Sequence, residues 1–568
     1  MKKILLSISM ICGLTAYAQQ DLLWVKRVGN SSQMSGVINT AITTDPDGNV
    51  ITGGLIDSDT DFDMGDGESI LTAEFITGYV AKYNNDGNLI WANKLDGVTQ
   101  NNIRLVSTDA NGNVYVSGLF SGICDFDPGP SAYLLEAVTE PSERTDLFIA
   151  KYDPEGNLLW AKDIDAPQNN IIDGRTMYAD GTGVYISGSL IEITDFNPDE
   201  DEYNVEPIGI NDSYLLKLSS DGDFEWVQNY GSVDNIVVIN SIYTDSNNIY
   251  LGGGMRGEVD FDSSGETAIL TGTDPDFFES FLVKLDITGN YIWAKKFDSE
   301  YNNNIINAIA GDSEGNIYAG GHFESPTDFN PGTDVFTLET VATDEIQMFV
   351  TKLSDEGDLE WVKTIESNEG GSVMWGIAVN DSDNIYISGN YNGNINFIEG
   401  EQVMGSEANE DFFIAGMDNS GNYLWQKSIT SDIMAAFANI AADNAGNIFC
   451  SGSFLNNIQF SDGTEFNMED TDAADMFLAK YINSSTNIRE SLLSEEFVVY
   501  PNPSFGDITI EHNGSLTGSE MSVYNQLGQE VKVITISNNI INLELSAGIY
   551  ILKADKGNES FTYKLIIK

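Results

Sequence analysis

Asp109-Ala110-Asn111-Gly112-Asn113-Val114-Tyr115-Val116-Ser117-Gly118 opens a phrase that continues through Asp125-Phe126-Asp127-Pro128-Gly129, Phe148-Ile149-Ala150-Lys151-Tyr152 and Gly156-Asn157-Leu158-Leu159-Trp160. The chain writes this phrase seven times. The glycine closing its first part recurs at Gly54, Gly118, Gly188, Gly253, Gly321, Gly389 and Gly452. The tryptophan closing its last part recurs at Trp24, Trp91, Trp160, Trp226, Trp293, Trp361 and Trp425. A fixed period with short strands and turn residues inside each copy signals a closed radial array. Within the second copy the β-forming runs are 103–108, 114–119, 146–152 and 158–162. The Asp-x-x-Gly-Asn between the first two suits a tight hairpin, with Asp capping the turn and Gly accepting φ > 0. Four antiparallel strands per copy is the unit of a propeller blade. Ile42, Val106, Met177, Ile242, Ile309, Ile377 and Ile440 match one another on the inner strands and are assigned to contacts between neighbouring blades.

The two ends of the array complement each other. It opens with a lone fourth-strand phrase, Leu22-Leu23-Trp24-Val25-Lys26, and closes with a lone third-strand phrase, Met476-Phe477-Leu478-Ala479-Lys480-Tyr481. The N-terminal strand is therefore expected to complete the last blade and remove two exposed edges. The expected fold is all-β: a seven-bladed β-propeller over 19–481, closed by the N-terminal strand, then a linker at 482–496 and a small C-terminal β-sandwich over 497–568.

Among 568 residues there are 26 Lys and Arg against 88 Asp and Glu, a net charge of −62. Such a field repels nucleic acid and anionic lipid and excludes both as partners. Lys2 and Lys3, the apolar run 4–14 and Ala16-Tyr17-Ala18 read as a signal peptide at 1–18, cleaved before Gln19. No further run is apolar and long enough to span a membrane. The expected address is outside the cell, released or attached to the outer surface. Cys124 and Cys450 lie in non-adjacent repeats, so no disulfide is expected between them.

The repeated phrases resemble the β-propeller repeats of long secreted bacterial proteins, which implies a fold and no activity. After the linker the text changes to Tyr500-Pro501-Asn502-Pro503, then Val523-Tyr524-Asn525-Gln526-Leu527-Gly528-Gln529, Leu545-Ser546-Ala547-Gly548-Ile549-Tyr550-Ile551-Leu552 and Lys564-Leu565-Ile566-Ile567-Lys568. These four phrases resemble the type A C-terminal sorting domain of the type IX secretion system. The resemblance implies a bacterium of the Bacteroidota lineage, the type IX machinery as a partner, and passage through the outer membrane.

No catalytic constellation stands out. His322 and His512 are the two histidines, too few for a Ser-His-Asp site or a His-rich zinc site. Carboxylates are so abundant that pairs carry no signal. The Asp-Phe-Asp phrase leaves two readings open. Asp61 with Asp63, Asp125 with Asp127, and Asp260 with Asp262 place two oxygen-bearing groups on one side of a strand, a partial ligand set for Ca²⁺. Alternatively Phe anchors the loop and the acids face water, as Asn396-Phe397-Ile398 and Gln459-Phe460-Ser461 suggest by keeping only Phe. Ca²⁺ is the sole cofactor candidate.

Two residues before the matched apolar position stand Thr40, Arg104, Arg175, Asn240, Asn307, Trp375 and Ala438, expected as a ring at the channel mouth. Arg104 and Arg175 suit carboxylates, and Trp375 suits a sugar face or apolar group. The opposing reading has the arginines neutralising acids such as Asp173. Three functions follow: a non-enzymatic binding scaffold taking a glycan or peptide, a polysaccharide-degrading hydrolase or lyase, and a passive calcium-stiffened surface element.

Overall fold

The computed structural model describes residues 20–29, 36–65, 67–137, 145–165, 173–199, 201–233, 235–340, 346–367, 371–397, 404–405, 411–467, 474–483, 497–500, 504, 507–512, 519–524, 530–536, 540–543, 545–546, 548–556 and 559–567. The signal-peptide expectation at 1–18 and most of the linker, 484–496, lie outside the described residues. Two compact units divide the chain, Met1–Asn483 and Ser484–Lys568.

In the first unit the described elements are all β-strands, arranged as successive antiparallel meanders. Val37–Thr44, Val50–Ile56, Thr77–Tyr83 and Leu89–Lys94 pair in that order. The second meander is Asn101–Thr108, Val114–Phe120, Asp146–Tyr152 and Leu158–Ile164. It begins earlier than the apolar run at 103 because Asn101 is fastened to the first meander. Its amide donates to the Ile76 carbonyl at 2.9 Å and its side chain accepts from the Gly78 amide at 2.7 Å. The third, fourth and fifth repeat the order. The remaining long strands form one sheet, in the order Val373–Val379, Ile385–Tyr391, Asp411–Met417, Tyr423–Ala442, Ile448–Phe460, Asp475–Asn483 and Gln20–Val28, while short hairpins such as Glu258–Asp260 with Ile269–Thr271 stand apart. Tyr423–Ala442 runs unbroken from the fourth position of one meander into the first of the next. The two terminal strands pair antiparallel, with Trp24 opposite Lys480 and Arg27 opposite Phe477. The Asn39 amide donates to Ser453 Oγ at 2.8 Å, and Ser451 Oγ donates to Asn39 Oδ1 at 2.6 Å, joining the first meander to the last strands.

The phrase explains its own turns. Asp109 Oδ1 accepts the amides of Asn111 and Asn113 at 2.9 and 3.1 Å, Asp109 Oδ2 accepts Asn113 Nδ2 at 2.7 Å, and Gly112 takes φ = 78°. Asp, Gly and Asn thus each fill one requirement of the hairpin.

The same residues cement neighbouring repeats. Trp91 Nε1 donates to the Pro154 carbonyl of the next repeat at 3.0 Å, and Trp160 Nε1 to Ser220 at 3.0 Å. Trp293 reaches Asp355 at 3.2 Å and Trp361 reaches Asn419 at 3.0 Å. The third-strand lysine joins it on the shared carbonyl: Lys82 Nζ to Pro154 and Lys151 Nζ to Ser220, both at 3.0 Å. Lys82 also pairs with Asp45 at 2.8 Å and Lys151 with Asp109 at 3.5 Å, all four side chains being buried. Buried charges persist only when paired and hydrogen-bonded. Where the turn is rewritten as Asp180-Gly181-Thr182-Gly183, Lys217 makes a longer ion pair with Asp180 (3.9 Å), and burial pushes its pKa down to about 8.

The cores lie between neighbouring meanders: Tyr115, Ile149 and Trp160 of the second pack with Met177, Ile186 and Leu216 of the third. The phenylalanine of the Asp-Phe-Asp phrase packs on a third-strand aromatic in all seven repeats: Phe62 on Tyr79, Phe126 on Phe148, Phe196 on Tyr214, Phe261 on Phe281, Phe329 on Phe349, Phe397 on Phe413 and Phe460 on Phe477. Across repeats, Val106 packs against Gly53 and Ile309 against Gly252, positions where any Cβ would collide. Cys124 and Cys450 are buried and free.

The second unit holds two sheets. Phe497–Tyr500, Asp507–His512 and Ile540–Asn542 form one; Glu530–Thr535, Glu520–Tyr524, Gly548–Lys556 and Glu559–Ile567 form the other. Ile508, Met521, Val523, Leu552 and Leu565 fill the core of this unit. Among the described residues no helix is long and apolar enough to cross a membrane.

Candidate functional site

The repeat residues serve turns and contacts between repeats, so the positions that differ from repeat to repeat are those available for a site. The inner strands supply such positions. In five repeats a single residue of the inner strand is extra, a β-bulge, while the inner strand of the seventh shifts register three times. The five bulged residues are Thr40, Arg104, Asn240, Asn307 and Trp375. Arg175 stands at the matching place, just ahead of Thr176–Asp180, its amide donating to the Ser187 carbonyl at 2.8 Å. The side chain of Ala438 lies outside the described residues. A bulged residue drops out of the ladder, and its side chain is re-aimed.

Three of these side chains tie repeats together. Thr40 Oγ1 donates to the Ile103 carbonyl at 2.8 Å, Asn240 Nδ2 to Ile306 at 3.0 Å, and Asn307 Nδ2 to Met374 at 3.0 Å. Each acceptor is the carbonyl just before the next repeat's bulge. The arginines depart from this rule. Arg175 turns back on its own repeat, its guanidinium meeting Ser189 Oγ at 3.2 Å and Asp173 at 3.9 Å. Arg104 is exposed, and among the described residues it makes no hydrogen bond or ion pair. Trp375 is 37% exposed. His322 lies on the adjacent strand, opposite Ile305, with Nδ1 3.3 Å from Asn307 Nδ2, and burial lowers its pKa to about 4, so it is neutral near pH 7.

The Asp-Phe-Asp acids hold a hairpin. Asp125 Oδ1 accepts the amides of Asp127 at 3.1 Å and Tyr133 at 2.8 Å, and Asp127 Oδ1 accepts that of Gly129 at 2.8 Å. Asp61 with Asp63, and Asp260 with Asp262, repeat these bonds, as does Asp328 with Asn330. The second acid bonds through Oδ1 alone, a role asparagine fills equally. Chelation of the chain should therefore leave the melting temperature within about 1 °C. Asp127→Asn should change stability by less than about 0.5 kcal/mol, whereas Asp125→Ala should cost about 1–2 kcal/mol. Urea unfolding checks both. A melting point that drops with chelator would restore the calcium reading.

Sequence reasoning missed two features. Asp146, Asp163 and Asp165 bring carboxylate oxygens within 4.8 Å of one another. Burial raises the pKa of Asp163, with the Asp165 charge adding to it. No motif announces this cluster, since Asp146 comes from one strand, Asp163 from the next and Asp165 from just past its end. The second feature is a cleft of about 450 Å³ between the third and fourth meanders, lined by Ile208, Val233, Ile269, Glu258 and Asp260.

Residues 498–568 match the family model described as the secretion system C-terminal sorting domain. This tail marks the chain for type IX secretion and delivery to the outside of the cell. Two curated relatives are similar at 23% identity. They are an uncharacterized WD repeat-containing protein, L264, of Acanthamoeba polyphaga mimivirus (76% of this chain, 36% of the relative) and the regulatory protein FlaEY of Caulobacter vibrioides (40% and 23%). The chain thus spans about a third of the length of the first and about a quarter of the second. Among solved structures, the Cps50 (Swd1) β-propeller domain of Myceliophteria thermophila aligns at 9% identity and TM-score 0.34, covering 80% of this chain and 99% of that one. PorZ of Porphyromonas gingivalis, a bacterial surface component of the type IX secretion system, aligns at 11% identity and TM-score 0.17, covering 94% and 100%. At those scores the fold rests on the chain's own strand register.

Proposed function

We propose that this chain is an exported, non-enzymatic binding scaffold built on a seven-bladed propeller. The wheel spans 19–481 and is closed by the N-terminal strand. A signal peptide at 1–18 precedes it; the linker 482–496 and the sorting domain 497–568 follow. Pairing of Gln20–Val28 with Asp475–Asn483 supports closure, as does the contact of Trp24 with Gly87, the turn glycine equivalent to Gly156 beside Trp91.

The ligand class is an acidic glycan or a peptide carboxylate, held at the inner rim by Arg104. Arg175 is preoccupied by Asp173 and Ser189 and plays the lesser part. Trp375 offers an indole face from the sixth repeat. One observation carries the reading: an exposed guanidinium, unpaired among the described residues, in a chain of net charge −62. A cation left free amid such an acid excess is available for a ligand. The Asp-Phe-Asp acids are structural in this reading, so calcium stiffening is set aside.

The experiment is a binding titration of purified chain against polygalacturonate and neutral glycans. Arg104→Ala should weaken acidic-glycan binding at least about tenfold, or 1.4 kcal/mol, with the unfolding midpoint unchanged. Equal affinity of wild type and Arg104→Ala for polygalacturonate would remove the site. Release of new reducing or unsaturated ends would establish the hydrolase or lyase reading instead.

A further inference from the structure

We infer that the free edge of Glu258–Asp260 is a docking site that takes an extended, lysine- or arginine-bearing segment of a partner protein as an added β-strand. In four repeats a third strand lies along the free edge of the Asp-Phe-Asp hairpin, and it comes from the connection leaving the preceding tryptophan strand. Asp96 stands opposite Asp125, Asp298 opposite Asp328, Glu366 opposite Asn396 and Thr430 opposite Gln459. Each of these is the fifth residue after its tryptophan. The fifth residue after Trp226 is Gly231, and its counterpart is Asp260. Among the described residues that pairing does not form.

The connection folds back on its own repeat instead. The Asn235 amide donates to the Ser232 carbonyl at 2.9 Å, the Asn235 carbonyl accepts from Ile210 at 3.0 Å, and Ile236 bridges Asn211. The space left beside Glu258–Asp260 is the cleft of about 450 Å³. Its edge is open for hydrogen bonding. Gly272 bonds Gly257 at 2.8 Å and Phe261 bonds Ala268 at 3.2 Å on the inner side. By antiparallel alternation, Glu258 and Asp260 turn their amides and carbonyls toward the cleft. An edge strand with free backbone groups is the receptor for strand addition.

Charge and polarity select the occupant. Glu258 and Asp260 are exposed and share one face of the strand, so basic side chains opposite them are favoured. Ile208, Val233 and Ile269, exposed at 53%, 71% and 53%, supply apolar walls. The net charge of −62 steers a basic segment toward the site.

The test uses the full chain and two labelled peptides, acetyl-(Lys-Val)3-amide and acetyl-(Glu-Val)3-amide, read by fluorescence anisotropy. The lysine peptide should bind saturably and at least about tenfold more tightly than the glutamate peptide. Glu258→Pro removes one outward amide and leaves the bonds to Ile269–Thr271 in place, so it should weaken binding at least tenfold. Should that variant unfold, Glu258→Lys decides, because it should narrow or invert the preference between the peptides. Arg104→Ala should leave binding of the lysine peptide unchanged, which separates this site from the rim, whose ligands are carboxylates. Absent saturation, equal affinity for both peptides, or indifference to both Glu258 variants would each overturn the inference. Dimerisation abolished by Glu258→Pro would assign the edge to a second copy and overturn the basic partner.

Discussion

Gly118→Ala should cost about 3 kcal/mol, read as a fall in the urea midpoint at constant slope. The expectation rests on what a Cβ would meet. At Gly118 it would fall well under 3.0 Å from the Asn102 carbonyl oxygen, with the Asn102 carbonyl carbon and the Ile103 Cα close behind. All three are backbone atoms of the bulged inner strand, so no side chain can rotate away. Gly54, Gly188, Gly253, Gly321 and Gly389 face the same clash with the carbonyls of Ile38, Asp173, Val238, Ile305 and Val373. The recurring glycine is thus the negative image of the recurring bulge. Two controls set the scale. Gly112→Ala meets nothing closer than Pro154 at 3.6 Å but must hold φ = 78°, costing about 1–2 kcal/mol. Gly181→Ala has nothing within 4 Å and should be neutral or stabilising by about 0.5 kcal/mol. If Gly118→Ala costs no more than Gly112→Ala, the bulge does not explain the motif.

Those glycines also mark where sequence reading stops. Periodicity made the strands, turns and terminal fragments legible, because alternation and turn chemistry are local properties. The Asp-x-x-Gly-Asn glycine was legible for the same reason. The strand-closing glycine carries no positive φ, and its cause lies in an extra residue on another strand. Spacing alone picks out Thr40, Arg104, Asn240, Asn307 and Trp375 as matched positions. Their common nature as bulges, and the split between Thr40, Asn240 and Asn307, which bridge repeats, and Arg104, unpaired among the described residues, required hydrogen-bond geometry. The Glu258–Asp260 edge was invisible for a different reason: it is a pairing that fails to form, and Gly231-Ser232-Val233 reads much like its paired counterpart Asp96-Gly97-Val98.

Arg27→Ala should destabilise the first unit by about 3–5 kcal/mol near pH 7, and the loss should shrink in acid. Arg27, on Gln20–Val28, donates through Nε to Asp475 Oδ2 on Asp475–Asn483, and the Asp475 side chain is buried. Burial raises the pKa of Asp475, and Arg27 opposes that rise. Without Arg27 the carboxylate is left charged and unpaired in the interior. A carboxyl whose folded pKa is raised binds its proton more tightly in the fold than in the unfolded chain. The fold gains from that proton fully below the ordinary carboxylate pKa and loses the gain as pH rises through the folded value. The variant therefore recovers toward wild type as pH falls and Asp475 is neutralised. Adding Asp475→Asn to Arg27→Ala should restore much of the stability at pH 7, since the uncompensated charge is gone. The same pair reports on closure, because the two residues lie near opposite ends of the first unit and meet only when the terminal strands pair. Equal unfolding midpoints for Arg27→Ala and wild type at neutral pH would mean that the N-terminal strand contributes nothing to the last blade, and the closed wheel would fall with it.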